Sequence, residues 1–361
     1  MDKKKTIFLL FGVIFSAIGF YLAFHNVPLS ALGHYAKQIN YWWTFPAAIS
    51  LVVSYIIRSL RWQWLLLPAG RVKLSTAYHS LIISMMINCL LPGRVGELAR
   101  PMVLKNQANL PIASSLAALG VERLLDLLAL LLLLLPTLMV LTPEASTTVK
   151  FGDYQLSRTL LIDLGYMAFV TVAFLILAIL FLGHDLLRSF FLKGLLRSPD
   201  ILERINLTRL SGLLHRAVPV LAGFIERSAQ GVKYICSVKG FLVATVTSVI
   251  FWSFNALSFY FLAVGSPDVG LPFTSICGVM VVICFFIALP SVPGFWGLWE
   301  AAGVFALSLY GVANDVAAGF SLFSHAFNII PVIVAGWLSS MALGFRWTGL
   351  AKETPSDDIR G

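Results

Sequence analysis

The chain sets ionisable side chains inside its most apolar stretches, at helical spacing. Ala118-Leu-Gly-Val-Glu122-Arg123-Leu-Leu-Asp126 leads into a long leucine run. Glu122 and Asp126 are four apart, and Arg123 and Asp126 three apart, so the three share one sector of a helix. A second set, Arg94, Glu97 and Arg100, follows Pro92 at intervals of three. Arginine offers a planar fork of donors that matches phosphate. A helix starting at a break adds free N–H groups and the positive end of its dipole. Such residues would hold a phosphate-bearing headgroup, with Glu97, Glu122 and Asp126 orienting the arginines or receiving a cationic group. A structural reading stands beside this one. Glu122, Arg123 and Asp126 would then be an internal ion pair, and Arg94 and Arg100 anchors at the membrane boundary. On either reading, an unpaired charge at mid-membrane costs on the order of 2.5–3.5 kcal/mol, so these groups face protein, water or one another.

The break recurs. Pro92-Gly93-x-x-Gly96 returns as Pro293-Gly294-x-x-Gly297, 201 residues later (293 − 92). A pair of Gly/Pro-interrupted apolar segments, one per half, marks the binding site of many transporters. Glycine there permits positive φ and close backbone approach. The second copy carries one acid, Glu300, which is either a proton or cation site or an acid on a helix surface. A shift of 202 carries Arg123 onto His325 and Asp126 onto Asn328. His325 is either proton-responsive or a satisfied buried histidine. Phe295, Trp296 and Trp299 are expected to pack or to sit at the interface.

The elements that position these groups follow from composition. Of 361 residues, 58% are apolar and 12% charged, against about 25% charged in soluble domains. The mean hydropathy is +0.87. The sequence predicts an all-α, polytopic integral membrane protein, and long continuous apolar runs exclude a β-barrel. Spans are expected near 6–24, 42–60, 111–141, 160–183, 241–264 and 316–341. Shorter segments near 78–92 and 273–290 run into the two breaks and are followed by helices near 95–108 and 296–311. The segment 78–92 reaches only about 22 Å as a helix, short of a hydrocarbon core of about 30 Å, so each break is expected to form a re-entrant hairpin.

With both termini in the cytoplasm, this layout places every Lys and Arg on the inner side except Lys37, Lys150, Arg158 and the intramembrane Arg123, as the positive-inside rule requires. Arg58, at the end of the span near 42–60, and Arg61, just beyond it, are counted there on the inner side. Three spans and one hairpin per half give an inverted repeat within one transmembrane domain, 1–350. Repeat one covers about 1–145 and repeat two about 155–345. Residues 184–240 are expected to be a basic, leucine-rich segment lying on the membrane surface, and 351–361 a disordered tail.

Several classes are excluded. The formal net charge of +9 comes mostly from residues beside apolar spans, so no nucleic-acid partner is inferred. The basic start, Lys3-Lys4-Lys5, and the run Thr6 to Phe24 are read as an uncleaved first span and not a signal peptide. Cys89, Cys236, Cys277 and Cys284 have no metal-type spacing. Neither a nucleophile elbow nor a His-Glu-x-x-His helix occurs. No metal, no cofactor and no enzymatic activity are expected.

Asn88-Cys-Leu-Leu-Pro-Gly-Arg-Val-Gly-Glu-Leu-Ala-Arg100, followed by Val121-Glu-Arg-Leu-Leu-Asp-Leu-Leu-Ala-Leu130, resembles the transmembrane region of lysylphosphatidylglycerol synthases. Leu289-Pro-Ser-Val-Pro-Gly-Phe-Trp-Gly-Leu-Trp-Glu300 resembles that family's second signature, with Phe295-Trp296 where glycine is usual. The likeness spans roughly 5–345. It implies a flippase that moves a lipid between leaflets of the cytoplasmic membrane. It also implies a stand-alone member without the synthase domain, so synthase activity is not carried over. The expected ligand is a membrane lipid with an anionic or zwitterionic headgroup, aminoacylated or glycan-linked in some relatives. The alternatives are a non-transporting partner of a lipid-synthesising enzyme, and a membrane enzyme acting on lipid-linked substrates.

Overall fold

The computed structural model describes residues 3–25, 27–92, 94–140, 149–151, 154–156, 184–204, 238–289 and 291–344, with scattered residues between 163 and 226. The described chain is helical apart from one two-stranded hairpin. The helices are α1 (Lys3–Phe24), α2 (Leu29–Gln38), α3 (Thr44–Leu65), α4 (Leu74–Leu90), α5 (Gly96–Ala108) and α6 (Ile112–Val140). After the hairpin of β1 (Val149–Phe151) and β2 (Tyr154–Leu156) come α7 (Asp185–Arg204), α8 (Val238–Gly265), α9 (Phe273–Phe286), α10 (Leu298–Ser308) and α11 (Asn314–Ala342). The strands pair antiparallel with Lys150 opposite Gln155. Neither this hairpin nor α2 was expected from sequence.

Punctuation residues set the boundaries. Asn109 takes a left-handed conformation (φ 55°) and closes α5, as Asn does at helix ends. Pro111 then supplies the first acceptor carbonyl of α6, to which the Ser115 amide donates. Pro28 and Pro272 precede α2 and α9, where a residue without an amide hydrogen costs the helix nothing.

Among the described residues, three helical stretches are long and apolar enough to cross a membrane by length and composition: 41–65, 242–265 and 314–342. The apolar helices α4 and α9 are shorter, with 17 and 14 residues, or about 26 and 21 Å. This is an all-α, multi-pass membrane protein. The expected span near 160–183 and the tail 351–361 lie largely or wholly outside the described residues.

The two halves pack by exchange. Helices α6 and α11 have the same length, 29 residues, and stand 202 positions apart (314 − 112). α4 packs against α11 of the other half, and its counterpart α9 packs against α6. α3 packs against α8, while α5 and α10 rest on α6 and α11 within their own halves. Small residues permit these approaches. A Cβ on Gly336 would meet the Met86 side chain at 2.4 Å, and one on Gly278 the Thr137 methyl at 2.0 Å. Glycine at such crossings lets helices come close where lipid offers no hydrophobic drive between them.

One expectation is corrected here. The helix expected to end near 60 runs on to Leu65, so Arg61 as well as Arg58 lies inside α3, with Arg61 buried. They follow Ser50 and Ser54 at helical intervals, and this polar stripe faces protein.

Candidate functional site

The site is built around Glu122, which is fully buried in α6. Its carboxylate lies within 4 Å of four guanidinium groups. Arg100 Nη1 is 3.0 Å away, Arg58 and Arg123 Nη2 are at 3.2 Å, and Arg61 Nη2 is at 3.6 Å. One turn on, Asp126 takes Arg61 at 2.5 Å, Arg58 at 3.5 Å and Arg123 at 3.6 Å. The spacing of Glu122 and Asp126 on one helical face therefore presents two carboxylates to arginines from α3, α5 and α6.

Rings and a hydroxyl complete the shell. Arg100 stacks 3.7 Å above the ring centre of Trp62, and Arg58 and Arg61 lie 5.1 and 5.5 Å from that of Phe251. Arg61 also donates to the Ser248 hydroxyl at 2.6 Å. Donors nevertheless remain in excess. Nε and Nη2 of Arg100, and Nε of Arg61 and Arg123, are buried without a hydrogen bond, against two carboxylate oxygens, Glu122 Oε2 and Asp126 Oδ2. Buried donors of this kind cost about 1–3 kcal/mol each.

In front of the cluster lies a cavity of about 320 Å³. Arg58, Arg94, Glu97, Arg100, Arg123 and Asp126 line one side. Phe251, Trp252 and Asn255 of α8 line another, and Phe295, Trp299 and Asn328 close it from the second half. Arg94 and Glu97 pair loosely at 3.6 Å and are partly exposed. The walls combine cations, two carboxylates, aromatic faces and the three amides of Asn88, Asn255 and Asn328. That arrangement suits an anionic group carrying an apolar or polar-aromatic-compatible body.

The two breaks shape this cavity and touch each other. At the first, the Asn88 carboxamide oxygen accepts from the Gly96 amide at 2.8 Å and caps α5. A Cβ on Gly96 would come within 2.0 Å of the Ser84 carbonyl. Positive φ falls on Arg94 (55°) and not on Gly96, while Gly93 lies outside the described residues. Pro92 ends the approach from α4. At the second break, Pro293 opens a single 3-10 turn, and positive φ falls on Gly294, Phe295 and Gly297. Ser16 of α1 accepts from the Val292 amide at 3.1 Å. Arg94 reaches across to donate to the Ile287 carbonyl at 3.0 Å.

Glu300 and His325 do not join the arginine cluster. They form their own buried pair, Nδ1 to Oε1 at 2.5 Å, between α10 and α11. Asn328 lines the cavity and donates to the Ser324 carbonyl at 2.8 Å. Trp296 and Trp299, expected to pack or to sit at the interface, both contact His325: Trp299 stacks on the ring and Trp296 meets it at a tilt of 53°, and Trp299 also lines the cavity. Sequence reasoning missed Arg58 and Arg61. The available signal was the set Ser50, Ser54, Arg58 and Arg61, one polar face of an otherwise apolar helix.

Comparison with known proteins agrees with this architecture. The glycosyltransferase AglD of Haloferax volcanii is 26% identical over 328 residues, covering 85% of this chain and 50% of that protein. The chain thus spans about half the length of the curated relative it matches. No solved structure matches. The family described as the lysylphosphatidylglycerol synthase TM region matches residues 9–336, nearly the whole chain, and the protein belongs to that family.

Proposed function

We propose that the protein carries a phosphate-bearing lipid between the leaflets of the cytoplasmic membrane, with both termini inside. The headgroup would enter the cavity and be held by Arg58, Arg94, Arg100 and Arg123. The observation that carries this reading is the charge imbalance. Five arginines (58, 61, 94, 100 and 123) stand against three carboxylates (97, 122 and 126) at one site. An excess of buried cation calls for an anion, and arginine with free donors fits phosphate oxygens. The paired broken helices meeting at the cavity fit a carrier that opens alternately to either side. In this proposal, two repeats (about 1–145 and 155–345) form the carrier. Of the segment 184–240, much of which lies outside the described residues, α7 would lie on the inner surface with Leu186, Leu187 and Phe190 exposed. Glu97 would orient Arg94 or receive a cationic substituent of the headgroup.

The test uses purified protein in vesicles containing fluorescent phosphatidylglycerol, with external dithionite reporting the protected leaflet. Protein-dependent movement that Arg94→Ala and Arg123→Ala abolish, with folding retained, supports the proposal. Movement unchanged by both substitutions rejects it.

A second reading is favoured by the name of the relative: AglD is called a glycosyltransferase, so the chain would assist or perform chemistry on a lipid-linked substrate. Incubation of the purified protein with a membrane lipid extract and a radiolabelled nucleotide sugar tests catalysis through label transfer. Stable co-purification of a lipid-synthesising enzyme would instead mark the chain as its partner.

A further inference from the structure

The Glu300–His325 pair contains a hydrogen-bond constraint that the cavity does not explain. His325 Nε2 lies 2.8 Å from the Gly294 carbonyl. A carbonyl only accepts, so Nε2 carries a hydrogen. Nδ1 lies 2.5 Å from Glu300 Oε1, while Glu300 Oε2 accepts from the Gly297 amide at 2.8 Å. A hydrogen must also lie between Nδ1 and Oε1. The pair therefore holds one proton more than a neutral imidazole beside a carboxylate.

The surroundings favour an imidazolium facing a carboxylate. Glu300 sits in the first turn of α10, where the helix dipole stabilises an anion. Trp296 and Trp299 cover the ring, with centroids at 4.4 and 4.6 Å, and aromatic faces attract a cation. Among the described residues, neither partner has another ionic group within 4 Å. Of the elements packed against α10, α11 and the break, α1 sets Ser16 and Gly19 on Gly297, α4 sets the Cys89 carbonyl near Gly294, and α2 sets Tyr35 on Gly319. α8 sets Phe259 on Trp299, and α9, packed on α10, carries Cys277 and Cys284. Thiols and phenols carry no charge near neutral pH. The ionic cluster of α3, α5 and α6 lines the cavity, which Glu300 and His325 do not.

We infer that His325 and Glu300 form a proton-binding site that holds the second broken hairpin shut. Loss of the proton leaves one N–H for two acceptors. A nitrogen lone pair must then face either Glu300 or the Gly294 carbonyl at under 3 Å, and one contact opens. Gly294 lies in the turn itself, at φ 72°, so losing its carbonyl contact frees the break. Between α5 and α6 of the first half the ion pair is Arg100 with Glu122, whose cation does not deprotonate.

The experiment combines two readouts on protein in lipid vesicles. Solid-state 15N NMR of histidine-labelled protein, with His325→Gln to assign the signal, should show the His325 ring doubly protonated at neutral pH and singly protonated at higher pH. In a background free of native cysteines, Ser291→Cys should react with a maleimide faster as pH rises, by at most about tenfold per pH unit for a one-proton step. His325→Arg should keep labelling slow throughout, and His325→Gln should make it fast throughout. A ring singly protonated from about pH 5 to about pH 9, or a labelling rate corrected for thiolate that ignores pH, overturns the inference. Neither readout requires lipid movement. Failure of the vesicle transport assay would therefore reject the lipid reading and leave this one standing.

Discussion

Arg94 donates to the main-chain carbonyl of Ile287 at 3.0 Å, tying the tip of one broken hairpin to the end of the helix that enters the other. Ile287 closes α9, so the guanidinium meets a helix C-terminus whose last carbonyls lack intrahelical donors. A carrier that opens to either side would have to break this tie in at least one state, so Arg94 has a mechanical place as well as a charge.

Arg94→Lys should therefore act differently from Arg94→Ala. Lysine keeps the cation in the cavity but cannot reach the carbonyl while also presenting a fork to Glu97. Alanine should lower thermal stability by about 1 kcal/mol, the low end for a charged hydrogen bond because the side chain is partly solvated. Lysine should recover most of that stability but only part of the lipid movement. Thermal denaturation in detergent and the fluorescent-lipid assay separate the two effects.

Glu122 is predicted to be the least replaceable residue of the cluster. Four arginines converge on it, and Glu122→Gln leaves their charges mutually repelling in a dry site. Removing one member of a buried ion pair costs about 3–5 kcal/mol. Purified Glu122→Gln should be far less stable than Arg123→Ala, whose side chain is 38% exposed. Equal melting temperatures for the two variants would contradict this ranking.

These residues also show what the sequence could reveal. Glu122, Arg123 and Asp126 announced themselves because charge in an apolar run is costly and must be compensated. The two breaks were legible because proline and glycine punctuate helices. Arg58 and Arg61 were hidden because their position near the end of a span satisfied the topology rule equally well, and only packing against α6 distinguishes anchor from site. The pairing of Glu300 with His325 was equally invisible. Both residues were singled out, but nothing in a linear spacing of 25 (325 − 300) indicates that α10 folds back along α11. The exchange packing of α4 with α11 and α9 with α6 is a tertiary relation that repeat spacing suggests but cannot orient.

Trp62 supports the cluster from behind. Its ring lies 3.7 Å from the Arg100 guanidinium carbon, and both side chains are buried. A desolvated cation–π contact contributes about 2 kcal/mol, most strongly with tryptophan. Trp62→Phe should retain part of this and Trp62→Leu none, so stability should fall in the order Trp, Phe, Leu. Because Arg100 would be left looser, lipid movement should fall in the same order. A leucine variant as active as the parent would show that the stacking has no bearing on the site.

Gly297 provides the sharpest test of the second break. Its φ of 85° disfavours any residue with a Cβ, and an added Cβ would lie 2.0 Å from the Ser16 carbonyl of α1. Gly19 of α1 approaches just as closely, its own added Cβ falling 2.6 Å from the Gly297 carbonyl. Two backbones meet here with no room between them, so the strain cannot be relieved by turning a side chain. Left-handed strain alone costs about 1–2 kcal/mol, and displacing α1 adds to it. It would also pull Ser16 from the Val292 amide. Gly297→Ala should thus lose several degrees of thermal stability and expose the break to maleimide at a cysteine placed at Ser291. Gly194→Ala is the control, since a Cβ there meets nothing within 4 Å and alanine favours the helix. If Gly297→Ala melted and labelled like Gly194→Ala, the close seating of α1 on the break would be disproved.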